Sequence, residues 1–208
     1  MNLRSLTLKH FLTLPLLLAL GGPIVTTVRA QSAPPTAKPA TPSSQPTPTI
    51  VSACERDFSY IEKQIVEIAE AMPEDKFDFT PESLHIQGSA YKGVRTFAAQ
   101  VKHIAADNYG IWYPLTGQPT PATIHDPNGP DELKSKAEII KFLKDSFAFG
   151  HQAIGTLTPE NELDLLPFRG RKLPRLYLAY FALTHANEHY GQLVVYLRMT
   201  GIVPPSSR

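Results

Sequence analysis

The chain has 208 residues with 20 Lys and Arg against 19 Asp and Glu, and no basic run of the kind that binds nucleic acid. Its single cysteine, Cys54, excludes an internal disulfide, so stability has to come from core packing and from any bound ligand.

Residues 1–30 hold Arg4 and Lys9, an apolar run from Phe11 to Leu20, a Gly21-Gly22-Pro23 break and the small-residue pattern Val28-Arg29-Ala30. This is the form of a secretory signal peptide, and cleavage after Ala30 is expected in preference to an uncleaved anchor. The apolar run is too short for the roughly 20 residues of a bilayer span. The expected location is therefore periplasmic or secreted, with no stable membrane span after cleavage. Cleavage removes three basic residues and no acidic ones, leaving 17 basic against 19 acidic side chains. Residues 31–50 carry six prolines among Ser, Thr and Ala and read as a disordered or polyproline-like linker. Residues 51–208 are the right size for one domain with one core.

In that domain Ser52 is expected to cap a helix from Ala53 to Ala71, with Phe58, Ile61, Ile65, Ile68 and Met72 at helical spacing and Pro73 ending it. A loop containing PEDKFDFTPESLHIQG follows. The second helix is expected from Gly93 to Tyr113, stopped by Pro114, and the third from Lys134 to Thr156. The fourth is expected from Pro174, at its first turn, to Thr200, with Gly201 just beyond its end and Pro204-Pro205 after that. No run of period-two residues suggests strands. Four helices of this length in a short domain predict an all-α, four-helix-bundle fold, because each apolar stripe must be buried against the others.

The fourth helix places His185 and His189 four residues apart on one face, about 40° apart in projection and within the inward stripe. A buried imidazole without a partner costs about 1 to 3 kcal/mol, and a metal is one way to satisfy it. His103 on the second helix shares a face with Ala99, Ala106, Asp107 and Gly110, small neighbours that leave room beside the ring. Asp107, one turn on, is placed to orient a ligand or to act as an acid or base. The opposite side of the fourth helix, with Tyr190, Val194 and Leu197, is also apolar, so either that helix is central or a second copy covers it as a homodimer.

Other readings are weaker. HANEH matches the inverted zinc-protease motif His-x-x-Glu-His, but no acidic residue follows Glu188 to complete such a site. His85 and His125 fall in loops and read as surface residues, His10 lies in the leader, and His151 reads as a core or surface histidine. Cys54 reads as a small apolar residue.

The segments KFDFTPE, VRTFAAQVKHIAADNYGIW and LTHANEHYGQLVVYLRMTGIVPP, in this order around the third helix, resemble the DinB-like superfamily of bacterial metal-binding proteins. The resemblance spans nearly all of residues 53–205. It implies a DinB-like four-helix bundle in which His103, His185 and His189 bind a divalent metal, commonly zinc or nickel. Tyr190 stands where many relatives carry Arg. Two functions follow. One is a metal-dependent hydrolase or thiol-dependent transferase acting on a small molecule, with Asp107 as its acid or base. Export favours hydrolysis, since small cytoplasmic thiols are scarce outside the cell. The other is a non-catalytic metal- or ligand-binding module in which the metal is structural.

Overall fold

The computed structural model describes residues 47–121, 124 and 126–208. The leader, most of the linker, His10 and His125 lie outside the described residues. Four helices form the body: α1 Ile50–Ala71, α2 Phe97–Thr116, α3 Lys136–Ile154 and α4 Arg175–Met199. Among the described residues none is long and apolar enough to cross a membrane.

α2 packs along α3 and α4, and α1 packs along the same two, so α1 faces α2 across the core and α3 faces α4. The core meets at Phe58 of α1, Trp112 of α2 and Phe147 of α3, with Phe58 edge-on to the indole at 5.3 Å between ring centroids. Gly150 of α3 makes this approach possible. A Cβ there would stand 2.4 Å from Phe58 Cζ and 2.9 Å from Trp112 Nε1.

Helix ends differ from the expected ones for local reasons. α1 begins three residues early because Thr49 is the cap: its hydroxyl accepts from Ser52 N–H at 3.0 Å while the Ser52 hydroxyl accepts from Thr49 N–H at 2.9 Å. α2 starts at Phe97, where Thr96 caps Ala99 N–H, not at Gly93. It also runs through Pro114 to Thr116, since a proline in the last turn loses only one backbone bond and its neighbour Leu115 is buried. α3 is capped by Ser135 and Glu138 acting reciprocally. Pro174 sits at the cap of α4, one position before the first turn. At the other end the chain closes as expected around Gly201, with Ile202 N–H donating to Leu197 O and Gly201 N–H to Arg198 O.

The expectation of no strands is corrected. β1 Leu165–Phe168 pairs antiparallel with β2 Arg171–Pro174. Each strand has only four residues and each contains a proline, which hides the period-two pattern. Arg169 and Gly170 form the two-residue turn, with φ of 48° and 78°, the left-handed pair that matches strand twist.

The outer face of α4 is covered by its own chain. Leu197 is fully buried, Tyr190 and Val194 pack on the core, and the Tyr190 hydroxyl donates to Ser206 Oγ at 2.7 Å while accepting from Gln64 Nε2 at 3.1 Å.

Candidate metal centre

The seam between α2 and α4 brings together the three histidines that the sequence places at separate points. In α4, His185 and His189 point to the same side, and their Nε2 atoms lie 3.0 Å apart. In α2, His103 turns its ring edge-on to His189, at 4.7 Å between centroids, and to His185 at 5.5 Å. One ring nitrogen from each of the three lies within 4.8 Å of the others, a spacing that could hold a metal ion. His103 and His189 are 6 % and 5 % exposed, so two of the three rings are buried.

The opposite nitrogens are held by the protein. His103 Nδ1–H donates to the Pro127 carbonyl. That loop is tied to α2 by Lys102 Nζ, which donates to Pro130 O at 2.9 Å, and to the segment just before α2 by Arg95 Nε, which donates to Asn128 Oδ1 at 2.7 Å. His189 Nδ1 lies 3.0 Å from Gln192 Oε1, and that oxygen accepts from Gln100 Nε2 at 2.6 Å. Gln100 Nε2 also lies against His189 Nδ1. The Pro127 carbonyl can only accept, which assigns the Nδ1–H tautomer to His103 and leaves its Nε2 lone pair facing inward, while at His189 the Gln192 and Gln100 amides engage Nδ1 and leave Nε2 facing His185. This is how metal-binding imidazoles are held.

Burial keeps these rings neutral. It drives the His189 pKa down to about 4, outweighing the hydrogen bond to Gln192. It also lowers His103, against the opposing pull of the Pro127 carbonyl and the Asp107 charge. A neutral imidazole is the form that ligates a metal, so the donor set fits a divalent ion.

Asp107 faces the three rings. Its Oδ2 accepts from His185 Nε2 at 3.0 Å and lies 3.6 Å from His103 Nε2, while Arg169 Nη2 from the β1–β2 turn stands 3.7 Å from Oδ1. Burial opposes ionisation of this carboxyl. The hydrogen bond from His185, with the electrostatic pull of the neighbouring His103, His185 and Arg169, outweighs burial and holds it below its ordinary value.

The remaining sequence candidates fall elsewhere. His151 lies between α3 and α1, with Nε2 2.8 Å from Glu62 Oε2 and Nδ1 2.6 Å from Glu55 Oε1. Glu188 is exposed, and His85 caps a short turn at the surface with φ of 48°. Cys54 is half-buried and its thiol pKa is raised, chiefly by burial, the reverse of what a nucleophile needs.

Gln100, Gln192, the Pro127 carbonyl and Arg169 are site residues that the sequence reading did not single out. Gln100 and Gln192 carry a signal: each lies three residues from a histidine, Gln100 before His103 and Gln192 after His189, on the same helix face. The other two come from loop geometry and carry none.

A cleft of about 850 Å³, lined in part by Arg95, Gln100, Lys102, Gln192 and Tyr196, reaches the amides behind His189 but none of the three histidines. It therefore opens on the Nδ1 side of the centre, away from Asp107.

The family model described as the DinB superfamily matches residues 58–193. Among solved structures, the chain is similar to a DinB-like protein from Bacillus cereus ATCC 10987, with a TM-score of 0.59 and 17 % identity over 73 % of this chain and 93 % of that one. At that identity the likeness concerns the fold. No curated protein matches the chain.

Proposed function

The chain belongs to the DinB superfamily, and from that premise we propose that it is an exported protein binding one divalent ion, zinc or nickel, through His103, His185 and His189, and that it acts as a metal-dependent hydrolase on a small molecule. The observation that carries the metal reading is the convergence of three ring nitrogens within 4.8 Å of one another, with the opposite nitrogens of two rings already engaged by Pro127 and Gln192. Export rests on the signal-peptide pattern of residues 1–30, and it disfavours thiol-dependent transfer relative to hydrolysis.

A divalent ion held by His103, His185 and His189 would supply Lewis acidity and would lower the pKa of a bound water toward neutral. The protein's own groups do the rest. Asp107 is ionised and its Oδ2 faces the gathered Nε2 atoms, so it can hold a proton there. Arg169 Nη2, 3.7 Å from Oδ1, adds a positive charge beside that carboxylate. Phe181, whose ring centroid is 5.9 Å from that of His185, gives the centre an apolar neighbour on the hairpin side.

One observation favours a second reading, a non-catalytic module with a structural metal. Asp107 Oδ2 lies so near His185 Nε2 and His103 Nε2 that it could close the coordination sphere as a protein ligand.

Elemental analysis of untagged protein tests the site. The wild type is expected to carry about one equivalent of metal and the His185→Ala, His189→Ala double variant none. Equal metal content in both overturns the proposal. Enzyme and module then separate on whether a hydrolase screen of the loaded protein finds turnover that chelation removes.

A further inference from the structure

On the Asp107 side of the centre the β1–β2 hairpin and the first turns of α4 enclose a cleft of about 310 Å³ lined by Phe168, Arg169, Arg171, Leu173, Tyr177 and Phe181. Two of its six residues are arginines and three are aromatic. Small-molecule sites have this character, apolar walls with a few placed polar groups, and the volume lies at the small end of their range. Phe181 belongs to both the cleft and the histidine centre, since its ring faces His185. Arg169 likewise belongs to both: its guanidinium reaches Asp107 while its side chain is 60 % exposed.

Arg169 is held in place for a ligand to meet. It occupies the first position of a two-residue turn with both φ values positive, and its guanidinium lies over the Phe168 ring at 5.0 Å. Phe168 is buried and packs edge-on against Phe181. The guanidinium is therefore presented at the lip of an aromatic cleft, with Asp107 at 3.7 Å as its one ion-pair partner among the described residues and most of its side chain exposed.

We infer that the hairpin cleft is the substrate-recognition subsite of the metal centre, and that it takes a small carboxylate with a flat apolar body, its carboxylate on Arg169 and its ring packed against the aromatic lining of Phe181 and Tyr177. The guanidinium fork matches a carboxylate with two parallel hydrogen bonds. Tyr177 and Phe181 stand nearly parallel, with 9° between their planes and 6.4 Å between centroids, too close for a third ring to enter between them, so a flat body packs against their outer surfaces. This deepens the proposed metal function and rests on it for the side from which a ligand approaches the ion.

Benzoate, with neutral benzamide as control, is the probe. Each is titrated calorimetrically into full-length protein, metal-free and loaded with cobalt(II), for the wild type, Arg169→Asn and Arg169→Lys. Asparagine tolerates positive φ, so the turn survives its introduction. Benzoate is expected to bind wild type in both forms, benzamide at least tenfold more weakly. Arg169→Asn is expected to weaken benzoate about tenfold or more, as loss of a charged hydrogen bond does. Arg169→Lys is expected to restore part of it, and the visible cobalt spectrum to change on adding benzoate to loaded wild type. Equal affinity for benzoate and benzamide, or benzoate affinity indifferent to Arg169, overturns the subsite while cobalt uptake leaves the metal centre standing. Benzoate binding that needs Arg169 in a protein that takes up no cobalt keeps the subsite and overturns the metal.

Discussion

The carboxylate of Asp107 accepts a hydrogen bond from His185 Nε2 at 3.0 Å across the α2–α4 seam, using the same nitrogen that stands 3.0 Å from His189 Nε2. An acid and the ring nitrogens proposed as metal donors thus meet at one point. Which role the acid takes decides between catalyst and module.

Asp107→Asn separates the two. It keeps the side-chain size and removes the charge. If Asp107 moves a proton, metal affinity stays within about tenfold while metal-dependent turnover falls roughly 10² to 10⁴-fold. If Asp107 is a ligand, metal affinity itself collapses. Competition against a chelator of known affinity, run beside the activity assay, reads both quantities.

Gln192 holds the His189 ring at Nδ1 through a 3.0 Å contact with its amide oxygen. Gln192→Leu is expected to lower metal affinity about 10 to 100-fold, the usual cost of losing such an outer partner, while leaving the helical circular dichroism unchanged. Unchanged affinity in the same chelator competition would show that His189 needs no help from the amide.

The buried rings make the metal-free protein acid-sensitive in a defined window. In the folded state His189 stays neutral down to about 4, against an ordinary value of 6.5. Between these values the unfolded chain binds more protons than the folded one, so stability rises with pH there. The lowered His103 acts in the same direction. Relative to neutral pH, the metal-free protein is expected to lose stability as pH falls from about 6.5 toward 4. Urea midpoints at pH 7.5 and 5.0 check this, and His189→Gln should flatten the difference. A pH-independent midpoint in wild type would contradict it.

Gly150→Ala is expected to destabilise the fold even though alanine favours a helix by about 1 kcal/mol over glycine. The new methyl would fall 2.4 Å from Phe58 Cζ, in a core with no slack. Overpacking of this kind costs about 1 to 3 kcal/mol. Thermal or urea unfolding of the variant gives the sign directly. A gain in stability would mean that the Phe58 ring can move aside.

The helices were legible because their apolar residues repeat at helical spacing: Phe58, Ile61, Ile65 and Ile68 of α1 are all buried as the pattern requires. Helix ends were less legible, because caps depend on one or two hydrogen bonds and Thr49 competes with Ser52 for the same role. The three histidines were legible as helix-face residues, and their faces do meet. Asp107 was legible in the same way, one turn beyond His103. The hairpin was not, since Pro167 and Pro174 break the strand signal, and without it neither Arg169 nor the cleft beside α4 has a location. Pro127 escaped for a related reason: a carbonyl oxygen has no residue type to reveal it, and its place is set by the contacts of Lys102 and Arg95 with neighbouring loop residues.

The ordering of the helices gives the seam a mechanical meaning. His103 and His185 sit on helices that are neighbours in space but are separated along the chain by all of α3 and the hairpin. An ion shared between them would act as a clasp, closing a ring of about 80 residues, a length at which a covalent cross-link removes roughly 4 to 5 kcal/mol of unfolded-chain freedom. Stripping that clasp would loosen α3 and the hairpin as well, although neither contributes a histidine to it.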